Sequence, residues 1–187
     1  MIGAADVAAF ERCITEGGIA VFPTDTLYGL GCSPDDAGAV ERLYELKGRP
    51  KDKPSAVMWF SVEAALASVP DVGPRSREAV TRLLPGPVLV VLPGGKGIRV
   101  PALQGFESLR VAVLQTSANL SGGPDPRTLA DVPDELRSGA DLVLDGGELP
   151  GVASTVVDLS RYETEGTWKV LREGAVSAEA LRMALKS

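Results

Sequence analysis

Apolar residues recur at the spacing of one α-helical face in five segments of the chain. These segments are also rich in residues with high helix propensity. The pattern predicts helices over Ala4–Glu16, Asp36–Lys47, Val62–Val69, Arg75–Leu84 and Ser177–Leu185.

Short runs of β-branched and other apolar residues lie between the predicted helices. Several runs are continuously apolar rather than alternating, which is typical of strands covered by helices on both faces. The pattern predicts a single α/β domain over residues 1–187, with a loop at Pro93–Gly97. Candidate strands are Ile19–Phe22, Ala56–Phe60, Val88–Leu92, Val111–Leu114, Leu142–Leu144, Thr155–Val157 and Trp168–Leu171.

The composition excludes several classes of function. The chain has 187 residues and a net charge of −6, which argues against binding nucleic acid over its whole surface but leaves a local basic cleft open. It contains no histidine, which removes imidazole acid-base chemistry and the commonest zinc ligand, and we expect no resident metal site. With 5% aromatic residues, the core should be aliphatic. Cys13 and Cys32 should be reduced, inert thiols.

The first residues lack the charged and apolar segments of a secretion signal, and no stretch is long enough to span a bilayer. We therefore expect a cytoplasmic protein that does not associate with membranes. Neither a P-loop nor a dinucleotide-binding glycine motif is present, so a standard nucleotide fold is disfavoured.

A basic cluster follows the second predicted helix. Lys47, Arg49, Lys51 and Lys53 fall within seven residues, and Gly48 and two prolines restrict the backbone between them. Cations at a helix C-terminus also act as simple caps. The restricted backbone favours a second interpretation, in which the cluster binds a polyanion such as a triphosphate.

Small polar residues follow two of the apolar runs, at Thr24–Thr26 and Thr116–Asn119. Such residues either form an ordinary turn or contact a ligand at the end of a strand. The first of these segments precedes Tyr28, which would then pack in the core. Arg99, Ser154 and Arg172 are either surface charges or strand caps, or they contact a ligand.

Five motifs in order resemble one known family. They are FPTDTLYGLG (22–31), LKGRPKDKP (46–54), PGPVLVVLP (85–93), TSANLSGGP (116–124) and STVVDL (154–159). On these motifs the chain is similar to the YrdC-like family of L-threonylcarbamoyladenylate synthases. The resemblance implies a twisted, mixed, open sheet flanked by helices. It also implies synthesis of threonylcarbamoyl-AMP and pyrophosphate from L-threonine, bicarbonate or CO2, and ATP, with Mg²⁺.

The family's product feeds the threonylcarbamoylation of adenosine 37 in tRNA by separate transferase proteins. By resemblance, catalysis involves Lys47, Arg49, Ser117 and Asn119. L-Threonine would lie near Thr26, Met58, Arg99, Gln115 and Ser154. ATP would lie near Arg49, Lys53, Ser117, Asn119, Asp125 and Arg172. The alternative is a YrdC-like protein that binds nucleotide, or weakly binds RNA, without threonine-dependent synthesis.

Overall fold

Nine strands form one mixed sheet within residues 2–48 and 55–186, which the computed structural model describes. Across the sheet the order is β7-β1-β2-β6-β3-β5-β4-β8-β9. The neighbours β1 and β7, β3 and β5, and β4 and β8 are parallel, and the other neighbouring pairs are antiparallel. In chain order the strands are β1 (Ala20–Pro23), β2 (Tyr28–Cys32), β3 (Ala56–Met58), β4 (Val88–Leu92), β5 (Lys96–Arg99), β6 (Val113–Ser117), β7 (Leu142–Val143), β8 (Thr155–Asp158) and β9 (Lys169–Arg172).

Helices flank this sheet, which confirms the predicted α/β architecture. None of the helices in the described residues is both long and apolar enough to cross a membrane. They are α1 (Ala4–Thr15), α2 (Ala37–Lys47), α3 (Val62–Ala67), α4 (Pro74–Leu83), α5 (Asp134–Gly139), α6 (Tyr162–Glu165) and α7 (Ala178–Leu185).

Helix α2 has a defined start and end, which together place Lys47. At its start the Asp36 carboxylate accepts a hydrogen bond from the Ala39 amide at 2.9 Å, as N-cap residues do. At its end Gly48 adopts a left-handed backbone with φ of 62°, which a residue without Cβ reaches at little cost. The helix therefore stops immediately after Lys47.

The buried residues form three clusters around the sheet. A first core lies between β4, β8, α4 and α7 and is largely aliphatic. A third lies under α2 and α5 and contains the buried Tyr28. The second core contradicts a purely aliphatic interior, because it gathers all four phenylalanines of the chain. The Phe10 ring centroid lies 4.8, 5.8 and 5.4 Å from those of Phe22, Phe60 and Phe106.

The main differences from the predicted elements concern strands. β2 was not predicted, and β5 begins at Lys96, inside the segment predicted as a loop. β6 starts and ends later than predicted, so Gln115, Thr116 and Ser117 are strand residues rather than a turn after a strand. The short helices α5 and α6 were also not predicted.

Candidate functional site

A cavity of about 240 Å³ opens beside the central strands. Val88, Val90 and Leu92 of β4 belong to the first core, so the alternation of a strand places Leu89 on the opposite face, beside the cavity. The lining combines hydroxyl, amide, guanidinium and carboxylate groups with a smaller apolar part. The lining residues are Thr24, Thr26, Leu27, Ser55, Ala56, Leu89, Arg99, Gln115, Thr116, Ser117, Asp125, Ala153, Ser154, Val156 and Arg172.

Arg99, the last residue of β5, is the most buried cation of this lining, at 4% exposure. Its Nη2 donates to Asp25 Oδ1 at 2.5 Å and to Thr26 Oγ1 at 2.8 Å. Its Nη1 donates to Gln115 Oε1 at 3.2 Å. Burial lowers the pKa of Arg99, Asp25 opposes that shift, and the nearby cation of Arg172 adds to it. Arginine nevertheless stays protonated, so the cavity holds a fixed buried positive charge.

Two polar atoms of the lining lack a hydrogen-bond partner among the described residues. They are Arg99 Nε and Ser154 Oγ, on side chains whose residues are each 4% exposed. Leaving a buried donor or hydroxyl unpaired costs about 1–3 kcal/mol, so such groups usually have a partner. Arg99 and Ser154 both line the cavity, so a ligand that enters it is a candidate partner for these two groups.

The Thr24–Thr26 segment combines the two interpretations left open by its sequence. Thr24 forms a local turn, because its Oγ1 donates to Leu27 O at 2.7 Å and accepts from the Thr26 and Leu27 amides. Tyr28 is fully buried, and burial raises its pKa to about 12. Thr24 and Thr26 both line the cavity, and Thr26 Oγ1 accepts a hydrogen bond from Arg99 there.

Lys47 and Asn119 lie behind the cavity rather than in its lining. Lys47 is 2% exposed, and its Nζ donates to Ser117 O at 2.5 Å and to Asn119 O and Oδ1, both at 2.9 Å. Asn119 Oδ1 also accepts from Ser117 Oγ at 2.6 Å. Of the three members of the predicted catalytic set that the structure describes, Lys47, Ser117 and Asn119, only Ser117 lines the cavity. Lys47 and Asn119 therefore hold the backbone that carries it.

Arg172 and Asp125 lie at the exposed side of the cavity. Arg172 Nη2 donates to the Ser154 carbonyl at 2.8 Å, which ties β9 to the segment before β8. Both residues were predicted as nucleotide contacts, and both line the same cavity as Thr26, Arg99 and Ser154.

Met58 is not brought to the cavity. It is fully buried in the second core with the phenylalanines, so its prediction as a threonine contact is not supported by its position. Ala56, at the start of β3, lines the cavity, whereas Met58, at the end of the strand, packs against the phenylalanines of the second core. Arg49 and Lys53 lie outside the described residues.

Ser55 and Leu89 line the cavity but were not predicted as site residues, whereas Asp25 and Thr116 were included only as members of the two polar segments. The usable signal for Leu89 was its position between two core residues of one strand, since alternate residues face opposite sides. Asp25 could have been noticed as a carboxylate between two threonines. Its pairing with a residue 74 positions away could not be read from the sequence.

The mixed sheet and the polar cavity with a buried guanidinium define an α/β small-molecule-binding domain. Residues 12–174 match the family model of Sua5, YciO and YrdC, which is described as "Telomere recombination". The chain belongs to this family.

Several relatives carry a functional name. The chain is 34% identical to a threonylcarbamoyl-AMP synthase of Pyrococcus abyssi over 90% of its length, and it spans 54% of that relative. It is 32% identical to a putative threonylcarbamoyl-AMP synthase of Mycobacterium tuberculosis, over 90% of this chain and 83% of that protein.

Solved structures show the same fold. The structure of P. abyssi Sua5 complexed with L-threonine has a TM-score of 0.84 at 30% identity, over 98% of this chain and 58% of that one. E. coli YciO has a TM-score of 0.82 at 24% identity, over 97% of this chain and 95% of that chain.

Proposed function

We propose that this chain is an L-threonylcarbamoyladenylate synthase, a nucleotidyltransferase that acts in tRNA modification. It would convert L-threonine, bicarbonate and ATP into threonylcarbamoyl-AMP, pyrophosphate and water. The observation that carries the proposal is the pair of unpartnered buried groups, Arg99 Nε and Ser154 Oγ, in one cavity. A guanidinium beside a hydroxyl suits a ligand with a carboxylate and a second polar group.

The inner part of the cavity would hold the amino acid. Drug-sized ligands occupy clefts of about 300–1,000 Å³, so a cavity of about 240 Å³ would enclose the amino acid and leave most of the nucleotide outside it. Arg99 would bind the threonine carboxylate, with Thr26 and Ser154 offering hydroxyls to its other polar atoms. Gln115 lines the same wall and holds Arg99 from the other side through its Oε1.

The outer part would hold the nucleotide. Ser117 and Asp125 line it beside the exposed Arg172, and small polar groups there would orient the nucleotide. Arg49 and Lys53 are retained as phosphate ligands on the strength of the resemblance, and Ser55, two residues after Lys53, lines the cavity. The cations would offset the charge of two anionic substrates held together.

The chemical step needs no nucleophile from the protein. The threonine amine would combine with CO2 derived from bicarbonate and lose a proton, which gives a carbamate. A carbamate oxygen then attacks the α-phosphorus, and the bond to pyrophosphate breaks. This matches a chain without histidine, in which catalysis comes from positioning and from stabilising developing charge.

Magnesium would enter with ATP. Within the residues that the structure describes, no three carboxylate or thiol side chains gather to hold a metal. Mg²⁺ commonly takes one or two carboxylates together with phosphate oxygens and water. Asp125 fits that role as an exposed carboxylate of the lining. The ion would neutralise phosphate charge when bound.

The product would pass to tRNA threonylcarbamoyl-transferase proteins, in keeping with a cytoplasmic site of action. Adenosine 37 of tRNA would be the final acceptor.

The decisive assay incubates the protein with Mg-ATP, bicarbonate and L-threonine and measures pyrophosphate, with each substrate omitted in turn. Pyrophosphate that depends on L-threonine supports the synthase. Tight nucleotide or RNA binding by folded protein, without threonine-dependent turnover, would instead favour the binding-protein alternative. A shallow dependence of RNA binding on salt would indicate contact limited to the basic cluster.

A further inference from the structure

Asp25 lies behind the cavity and joins two parts of the site. Its Oδ1 accepts from Arg99 Nη2 at 2.5 Å, and its Oδ2 accepts from the Ala102 amide at 3.0 Å. The side chain of Asp25 is 8% exposed and that of Arg99 is 5% exposed. Asp25 itself does not belong to the lining. One carboxylate therefore fixes both the end of Arg99 and the chain that follows it.

The donors of Arg99 are unevenly used. Nη2 has three acceptors within 3.3 Å, namely Asp25 Oδ1, Thr26 Oγ1 and Thr24 Oγ1, whereas Nε has none among the described residues. A guanidinium is planar, so fixing Nη2 and Nη1 also fixes the direction of the Nε–H bond. Asp25, with the two threonines and Gln115, thus fixes the plane in which the Arg99 guanidinium lies.

We propose that Asp25 is a positioning residue that fixes the Arg99 guanidinium in the cavity wall, where it would bind the carboxylate of the amino-acid substrate. This inference rests on the proposed function. Asp25 would set threonine affinity without touching threonine, and would have little influence on the nucleotide.

The Asp25→Asn variant isolates this role. An amide has one acceptor oxygen, so it can serve Arg99 Nη2 or the Ala102 amide but not both, and its NH2 then faces a donor. A competing physical effect has the opposite sign: loss of the negative charge frees the Arg99 cation to attract a carboxylate more strongly. The direction of the change in affinity therefore discriminates between orientation and charge.

The test measures the Kd of L-threonine and, separately, of a non-hydrolysable ATP analogue by calorimetry. Asp145→Asn is the matched control, because its carboxylate also accepts two hydrogen bonds but does not line the cavity. We expect Asp25→Asn to weaken threonine binding about tenfold, equivalent to one hydrogen bond to a charged group. The ATP analogue and the control should change by less than about twofold.

A double-mutant cycle with Arg99→Lys completes the test. A lysine has no planar fork to orient, so Asp25→Asn should cost little further threonine affinity in that background. If Asp25→Asn does not fold, Asp25→Glu serves instead. It keeps the charge but displaces the carboxylate, and should weaken threonine binding alone.

Unchanged or tighter threonine binding by Asp25→Asn would overturn the proposal, as would an equal loss for threonine and the ATP analogue. So would a full additional loss in the Arg99→Lys background. A wild-type protein that binds the ATP analogue but no L-threonine would instead remove the proposed function itself, and this role with it.

Discussion

The Lys47 ammonium lies 2.9 Å from both the carbonyl and the side-chain oxygen of Asn119. It also donates to the Ser117 carbonyl, so the end of α2 holds the segment that carries the Ser117 hydroxyl to the cavity. The relationship assigns Lys47 a role in positioning rather than direct contact with substrate in the described structure.

Replacing Lys47 with Met keeps the stem but removes the ammonium, and leaves buried oxygens without their donor. We expect the free energy of unfolding to fall by about 2–4 kcal/mol. Hydrogen bonds to a charged group are worth about 1.5–3 kcal/mol each, but the contributions of several bonds to one ammonium do not add in full. ATP affinity should fall as well. Urea denaturation measures the first quantity and calorimetry the second. Lys96→Met, at an exposed lysine, is the control, and an unfolding free energy equal to its value would contradict this role.

Ser154 and Met58 make a contrasting pair. Ser154→Ala removes an unpartnered hydroxyl, so it should not lower the melting temperature but should raise the KM for threonine about three- to tenfold, as expected for one neutral hydrogen bond. Met58→Leu conserves volume in the second core and should leave that KM unchanged. Steady-state kinetics with varied threonine distinguishes them. A higher KM in Met58→Leu alone would restore Met58 to the site.

Arg49 and Lys53 lie outside the described residues. Two interpretations apply to them, as phosphate ligands or as caps of the preceding helix. As phosphate ligands, Arg49→Ala and Lys53→Ala should each weaken ATP binding by about tenfold or more with little change in melting temperature. As helix caps, they would lower stability with little effect on ATP. Paired titrations and melting curves decide between the two outcomes, with Lys96→Ala as the control.

How far the sequence predicts this fold depends on which interactions define each element. The five predicted helices follow from local periodicity and were placed within two residues of their observed ends, whereas the short α5 and α6 were missed. β2 was missed because its sequence, Tyr-Gly-Leu-Gly-Cys, has poor strand propensity. The structure explains its glycines: a Cβ on Gly31 would lie 2.5 Å from Val113 Cγ1, so packing between strands overrides local preference.

The site divides in the same way. Arg99, Ser154, Thr26, Gln115 and Ser117 were predicted through the family resemblance, and the structure brings all five to one cavity. The sequence could not show how deeply each side chain is buried. The resemblance also indicated Lys47, Asn119 and Met58, and only the folded chain shows that these three residues are buried outside the cavity lining.

The contacts of the Asp141 carboxylate predict that the stability of the fold depends on pH. Its carboxylate accepts from the Ile19 amide at 2.8 Å and pairs with Arg42, and these contacts lower its pKa. A lowered folded-state pKa contributes stability above the unfolded-state pKa, and that contribution is lost as the pH falls through the folded-state pKa.

Asp141→Asn should therefore be less stable than the wild type at pH 7, by roughly 1 kcal/mol for a half-exposed group, and the difference should shrink below about pH 4. Urea denaturation at both pH values measures it, and Asp71→Asn, at an exposed turn, controls for loss of one charge. A difference that grows in acid would contradict the assignment.

The central claim is most directly tested by supplying ¹³C-bicarbonate, Mg-ATP and L-threonine and analysing the products by mass spectrometry. The account predicts threonylcarbamoyl-AMP that carries the isotope, formed in equal amount with pyrophosphate and absent when L-threonine is omitted. Folded protein that binds ATP yet yields no labelled adenylate would contradict it.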